Sequence, residues 1–174
     1  MATWSLDKAH SELEFRIKHM MISTVKGLFD DFDVHVQGDP ADLASLHVEV
    51  SIAVNSINTK NEQRDQHLRS EDFFNVGAFP KITFTSTQLT AKGGDDYTLE
   101  GELSIKGQTK AVKLNLENGG VAVDPWGNKK AGFTVKGEIK REDFGLTWNT
   151  VLETGGVMVS SDVKFEANIQ FILT

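Results

Sequence analysis

The sequence predicts an all-β protein built from antiparallel strands. Side chains alternate between apolar and polar along most of the chain, turn-forming clusters rich in Gly, Asp and Asn separate many of the alternating segments, and only one segment has the pattern of a helix. Such alternation is typical of antiparallel sheets, because parallel strands covered by helices have continuous apolar runs instead. Amphipathic antiparallel strands stack as a sandwich or close as a barrel, and alternation alone does not distinguish these two architectures.

Eight segments have the two-residue period of a strand with one buried face. In the first, Leu13, Phe15 and Ile17 alternate with charged residues, so we expect these three side chains to face the interior and their charged neighbours to face water. In the second, the apolar positions change from odd to even numbers at Asp30 and Asp31, which predicts a β-bulge there. The eight segments span residues 12–18, 24–36, 46–54, 81–87, 97–106, 110–117, 131–140 and 162–173.

The helical segment covers residues 59–70 and has recognisable start signals. The letters TKNE match a capping box, with Thr59 as the N-cap and Glu62 reaching back to it. Asp65 and Arg69 are four residues apart, in the order that favours an ion pair along a helix. We therefore expect a short, very polar helix that lies across the surface of the sheet.

Two adjacent phenylalanines, Phe73 and Phe74, follow this polar helix. Burying one Phe side chain contributes roughly 1.5–3 kcal/mol, which is enough for a pair to hold a short helix that is marginal alone. We expect both rings to anchor the end of the helix in the apolar interior.

A long connection at residues 141–161 is unusually apolar for a loop. Connections of this length are uncommon in compact domains and are often functional. We predict that its central part, from Phe144 to Val159, lines or gates the mouth of a cavity. The alternative is a flap that shields one end of the core.

Composition limits the classes of partner. The chain has 174 residues and a net charge of −7, from 18 basic and 25 acidic residues, without a basic cluster, which argues against nucleic-acid binding. No run approaches the roughly 20 apolar residues of a membrane span, so we expect no stable membrane insertion. The N-terminus lacks the basic start and apolar core of a signal peptide, which predicts a cytoplasmic protein, or a periplasmic or secreted one if a leader has been removed.

The residues offer little for catalysis or metal binding. There is no cysteine, no common catalytic motif and no pair of histidines at a metal-ligand spacing, so we expect no metal. His67 has acidic neighbours that fit acid–base chemistry, but a solvated helix face held by ion pairs fits better, because no nucleophile is near. His19 continues the inward row of the first strand. It is either a core residue bonded to backbone or a polar group that orients a ligand.

Several segments strongly resemble the YceI-like family of lipid-binding, lipocalin-like proteins: FRIKH, TVKGLFDDF, RDQHLRSEDFFNVGAFPKITF, GELSIKGQTKAVKL and REDFGLTW. The resemblance runs from Trp4 to Phe171. It implies one domain over residues 1–174, folded as an extended eight-stranded antiparallel lipocalin-like β-barrel with one short lateral helix. It also implies an apolar pore for a long amphiphile, such as an isoprenoid, an isoprenoid quinone or a fatty-acid derivative. The protein would be a carrier, store or stress-related scavenger without catalysis, and would need no cofactor beyond the bound lipid.

The inward rows and the resemblance together give a set of candidate ligand-binding residues. The alternative function is a hydrolase or isomerase of a small hydrophobic substrate, with His19 or His67 as the acid or base. The sequence leaves open the identity of the ligand and whether the chain forms a homodimer. The candidate residues are Phe15, Ile17, His19, Phe29, Phe74, Phe84, Phe133, Phe144, Trp148 and Phe165.

Overall fold

Eleven antiparallel strands form one curled sheet within residues 2–20, 22–149 and 159–174, which the computed structural model describes. One α-helix, α1, spans Glu62–Arg69. The strands are β1 (Trp4–Leu6), β2 (Glu12–His19), β3 (Ser23–Phe29), β4 (Phe32–Gln37), β5 (His47–Ala53), β6 (Ile57–Asn58), β7 (Lys81–Gly93), β8 (Asp96–Ile105), β9 (Gln108–Val123), β10 (Lys129–Lys140) and β11 (Val159–Leu173).

The sheet curls into a barrel, and its two ends meet at a seam that the chain itself crosses. Its strand order is β4-β5-β7-β8-β9-β10-β11-β2-β3-β6, with β1 added beside β11. The consecutive strands β3 and β4 are joined by Asp30 and Asp31, yet β4 begins this order and β3 stands next to its last strand, β6. Backbone hydrogen bonds from Asp30 N to Ser56 O (3.2 Å) and from Ala53 N to Asp31 O (3.0 Å) tie the seam. The predicted antiparallel, lipocalin-like barrel with a lateral helix is confirmed.

The strand count differs from the predicted eight for two reasons. The very short strands β1 and β6 contain too few residues to show a period. The predicted bulge at Asp30 and Asp31 was wrong, because the chain ends one strand at Phe29 and begins another at Phe32. It changes partner at this point, from β2 to β5, and both phenylalanines are buried on either side of the break.

The alternation predicted for β2 is correct except at one residue. Leu13, Phe15 and Ile17 face the interior. Glu14, expected in water, is only 8% exposed, because Arg16 (2.5 Å) and Lys26 (3.3 Å) cover its carboxylate. Burial alone would raise the pKa of Glu14, but hydrogen bonds from these two cations outweigh it and hold the pKa below its ordinary value.

The helix begins two residues later than predicted. Asn61 is the N-cap, and its side chain accepts a hydrogen bond from Arg64 N (3.1 Å), so the prediction of Thr59 was wrong. Thr59 is instead held from within the helix. Its backbone N–H (3.0 Å) and its hydroxyl (2.5 Å) both donate to Oδ1 of the buried Asp65. This contact fixes the angle at which the chain enters α1.

The predicted ion pair between Asp65 and Arg69 is also wrong, because Asp65 is committed to the preceding loop. Arg69 pairs with Glu62 (3.3 Å) and donates to the carbonyls of Asn55 (3.2 Å) and Ile57 (3.2 Å). The arginine therefore attaches the end of α1 to the segment before it.

The two phenylalanines after the helix anchor it as predicted. Phe73 is buried, and the partly buried Phe74 packs its ring 6.3 Å from that of Phe29. No helix in the described ranges has the length and hydropathy needed to cross a membrane.

Candidate ligand-binding cavity

The interior of the barrel contains a cavity of about 600 Å³. This volume is within the range of small-molecule sites in proteins. Inward-facing aliphatic and aromatic side chains from every described strand except β6 form its wall, so most of its surface is apolar. The period of two, which sends alternate side chains inward, is the direct cause of this wall.

Glycines opposite phenylalanines keep the cavity from filling with rings. Phe165 on β11 lies opposite Gly137 on β10, and Phe15 on β2 lies opposite Gly27 on β3. A Cβ atom on Gly137 would lie 2.4 Å from Cζ of Phe165, and one on Gly27 would lie 2.2 Å from Cζ of Phe15. Each ring therefore extends along the wall over its neighbouring strand. A Cβ atom on Gly101 would lie 2.5 Å from Cζ of Phe84, so this ring also lies against a glycine.

Trp4 closes one end of the cavity. Its ring lies 5.4 Å from that of Phe171 and 6.1 Å from that of Phe133, and its indole N–H donates to the carbonyl of Gly38 (3.2 Å). The sequence interpretation missed Trp4, because its three-residue strand shows no alternation. A Trp just before the first alternating segment was the available signal.

The opposite end of the cavity, beside α1, is polar. Its polar side chains come from the loop before α1, from α1 itself, from the end of β2 and from the turn after β10. The cavity thus has an apolar body, closed by Trp4, and a polar end. The polar lining residues at this end are His19, Thr59, Asn61, Gln63, Arg64, His67 and Arg141.

His67 forms part of the wall at this polar end. Its Nε2 lies 3.0 Å from a carboxylate oxygen of Asp72, as the expectation of an ion pair required. Its ring also packs 4.7 Å from Trp148 and 5.1 Å from Phe73. The expected solvated helix face held by ion pairs is therefore present on one side of the imidazole, and the other side meets the cavity, which the sequence did not predict.

His19 lies at the end of β2, is half-buried and lines the cavity. Its backbone accepts hydrogen bonds, but its ring has no hydrogen-bond partner in the described part of the chain. The alternative of a core histidine bonded to backbone therefore finds no support among these residues.

Nine of the ten candidate residues line the cavity, and Phe144 does not. Phe144 ends the 3₁₀ turn Arg141–Phe144 and packs in the core, with 2% of its surface exposed. An apolar residue in a loop can be buried against the core or exposed to a cavity, and its identity does not distinguish the two. The nine are Phe15, Ile17, His19, Phe29, Phe74, Phe84, Phe133, Trp148 and Phe165.

The buried Arg141 holds together the two flanks of the long connection. Its Nη1 donates to the carbonyls of Leu146 (2.6 Å) and Trp148 (2.8 Å), and its Nε donates to that of Ser160 (2.8 Å). Its Nη2 donates to the carbonyl of Val159 (3.3 Å). Burial lowers the pKa of Arg141, yet a guanidinium remains charged in proteins, and these carbonyls compensate for the lost water.

The mouth loop predicted from Phe144 to Val159 is described only at its two ends. Leu146, Trp148 and Val159 line the cavity there. Residues 150–158 lie outside the described residues, so the gating role stays a prediction. Over the described ranges, no group of His, Cys, Asp and Glu side chains is arranged to hold a metal ion.

Residues 4–171 match the model of the YceI-like domain. The chain belongs to the YceI-like family. It is 46% identical to the UPF0312 protein SA2479 of Staphylococcus aureus over an alignment of 175 residues. That alignment covers 100% of this chain and 99% of the Staphylococcus aureus protein.

Solved structures of YceI-like and related proteins have the same fold. The Campylobacter jejuni YCEI protein is 37% identical, with a TM-score of 0.69 over 97% of this chain and 98% of that one. BcnA of Burkholderia cenocepacia is 25% identical, with a TM-score of 0.82 over 95% and 99%. A polyisoprenoid binding domain from Saccharophagus degradans is 18% identical, with a TM-score of 0.70 over 100% of both chains, a likeness that concerns the fold alone.

Proposed function

We propose that this YceI-like protein binds one long-chain amphiphile in its cavity and acts as a carrier, store or scavenger without catalysis. The ligand class is an isoprenoid, an isoprenoid quinone or a fatty-acid derivative. The observation that carries the proposal is the cavity itself, with an apolar body closed by Trp4 and a polar end beside α1. An amphiphile placed with its tail toward Trp4 matches this distribution.

Burial of the tail supplies the binding energy. Transfer of each CH₂ group from water contributes about 0.8 kcal/mol, so a long chain gains more than a short one. An apolar wall discriminates poorly between chains that differ by one methylene, so the site selects a class of lipids. The Saccharophagus degradans domain, which has the same fold, is a polyisoprenoid binding domain, and this supports the ligand class by analogy of fold.

The alternative of a hydrolase or isomerase has one observation in its favour, the pair formed by His67 and Asp72 at the polar end. Thr59 is the only hydroxyl-bearing residue that lines the cavity among the described residues. Its hydroxyl donates to Asp65 and accepts from Arg64, so it is not available to His67. The described residues thus provide a histidine–carboxylate pair without a side-chain nucleophile for it to activate, and binding is the better proposal.

The proposal is tested by mass spectrometry of the lipid that co-purifies with the protein. We expect one amphiphile in about equal amount to the protein. Ala167→Phe adds a ring to the cavity wall and should reduce that amount, whereas Asn168→Phe adds the same ring on the outer face of β11 and should not. Lipid-free protein, or equal lipid content in both variants, would contradict the proposal. Turnover of an extracted lipid would favour the enzyme.

A further inference from the structure

One arginine at the polar end of the cavity has no carboxylate partner among the described residues. The sequence contains four arginines. Three of them lie near a carboxylate: Arg16 near Glu14 (2.5 Å), Arg69 near Glu62 (3.3 Å) and Arg141 near Glu142 (3.8 Å). Arg64, on the first turn of α1, is partly buried and faces the cavity without an ion pair in the described part of the protein.

Among the described residues, the guanidinium of Arg64 is held in place along one edge only. Its Nε donates to the hydroxyl of Thr59 (2.8 Å), and its Nη2 donates to the carbonyl of Thr59 (2.7 Å). These two bonds use the edge that contains Nε and fix the plane of the group. The opposite edge, formed by Nη1 and the second N–H of Nη2, donates to no described residue.

The acidic side chains nearest in the sequence are committed elsewhere. Asp65 accepts from both donors of Thr59, which stands between this carboxylate and Arg64. Glu62 pairs with Arg69 (3.3 Å), and Asp72 contacts His67. The positive charge therefore faces an apolar cavity, where an opposite charge is attracted more strongly than in water.

We propose that the ligand of this cavity carries an anionic head, a carboxylate or a phosphate monoester, which the free edge of Arg64 binds. Two parallel N–H groups in one plane match two oxygens of either anion. His67 and Gln63 line the same end of the cavity, where they can donate to the remaining oxygens. This inference rests on the proposed function and adds the chemical class of the head group.

The test compares three ligands with the same saturated tail: palmitate, hexadecyl phosphate and the uncharged hexadecanol. Affinities are measured by displacement of a fluorescent fatty alcohol at mildly alkaline pH. We expect the wild-type protein to bind both anions at least about tenfold more tightly than the alcohol, as a charge-assisted pair of hydrogen bonds should produce. A preference for only one of the two anions identifies the carboxylate or the phosphate as the source.

Variants then assign the preference to Arg64. Arg64→Gln should remove this preference, so that the two anions bind no more tightly than hexadecanol. Arg64→Lys keeps the charge but lacks the planar edge, so it should retain only part of the preference for anions. Arg16→Gln, on the outer face of the barrel, should retain all of it. Melting temperatures and hexadecanol binding show that each variant is folded, and Arg64→Lys decides the matter if Arg64→Gln does not fold.

The outcomes separate this inference from the proposed function. If the wild-type protein binds the alcohol as tightly as the two anions, the anionic head is wrong and the lipid-binding function stands. If the preference survives in Arg64→Gln, Arg64 is not the residue that provides it. If none of the three ligands binds, the proposed function fails as well.

Discussion

Single residues determine what a largely apolar cavity can distinguish. An apolar wall holds any tail of suitable length, so orientation and head-group selection depend on the few polar side chains at the end beside α1. His19 is one of these, and its ring has no hydrogen-bond partner within the described ranges. A histidine in that position is available to a ligand.

We predict that His19→Leu keeps the fold and loses affinity for a neutral polar head. The loss should be about 0.5–1.5 kcal/mol for hexadecanol, the contribution of one hydrogen bond, while hexadecane should bind as well or better. Calorimetry with both ligands, together with the melting temperature, measures this. His35→Leu, on the outer face of β4, is the matched control. A stability loss of about 1–3 kcal/mol without a change in selectivity would show that His19 is structural instead.

Apolar site residues could be predicted from the sequence far better than polar ones. Phe15 and Phe165 follow from a two-residue period, which is a local property of the chain. From the sequence alone, Arg64 and Arg141 would be assigned to the surface, because arginine is rarely buried and the neighbouring sequence does not indicate which groups each one binds. The burial of Arg141 depends on carbonyls of Val159 and Ser160, which fold back from the far side of a long connection.

The strands contribute glycines as well as apolar side chains, and both are needed to keep the barrel open. Gly137 on β10 accommodates the ring of Phe165, whereas Gly132, on the same strand, has no heavy atom within 4 Å of the position that a Cβ would occupy. Two glycines on one strand thus have different consequences for the cavity.

We predict that Gly137→Ala forces the ring of Phe165 away from the wall and into the cavity. Overpacking of this kind costs about 1–3 kcal/mol, and the displaced ring should also lower the affinity for long-chain ligands. Gly132→Ala should change stability by no more than about 0.5 kcal/mol and leave affinity unchanged. Chemical denaturation and lipid titration of the two variants test the pair. Equal behaviour would mean that the contact with Phe165 does not shape the cavity.

Strands were predicted better than the junctions between elements. The eight alternating segments cover all nine longer strands, but the change of pairing partner at Asp30 and Asp31, which divides one segment into β3 and β4, depends on how the whole sheet curls. The start of α1 was misplaced for a similar reason. Thr59 has the chemistry of an N-cap, yet Asp65 on the first turns of the helix binds it, and Asn61 takes the capping position. Tertiary contacts decided between two suitable residues.

The whole barrel is polarised along its length. Trp4 closes one end among aromatic rings, and Trp148 stands at the other end beside His67 and Phe73. The third tryptophan, Trp126, is 83% exposed. The protein therefore has one fluorescent tryptophan at each end of the cavity and one in solvent.

This arrangement tests the orientation of the ligand. In a Trp126→Phe background, Trp4→Phe leaves Trp148 as the only indole and Trp148→Phe leaves Trp4. Palmitate carrying a nitroxide close to its carboxylate should quench Trp148 more strongly, and palmitate carrying the nitroxide at the end of its chain should quench Trp4 more strongly, because the polar end of the cavity lies beside α1.

Trp4→Phe keeps the aromatic contacts but loses the bond to Gly38, which costs about 1 kcal/mol and should leave the fold intact. The reverse quenching pattern would place the head group beside Trp4, and equal quenching by both labels would mean that the ligand lies in the cavity without a fixed direction.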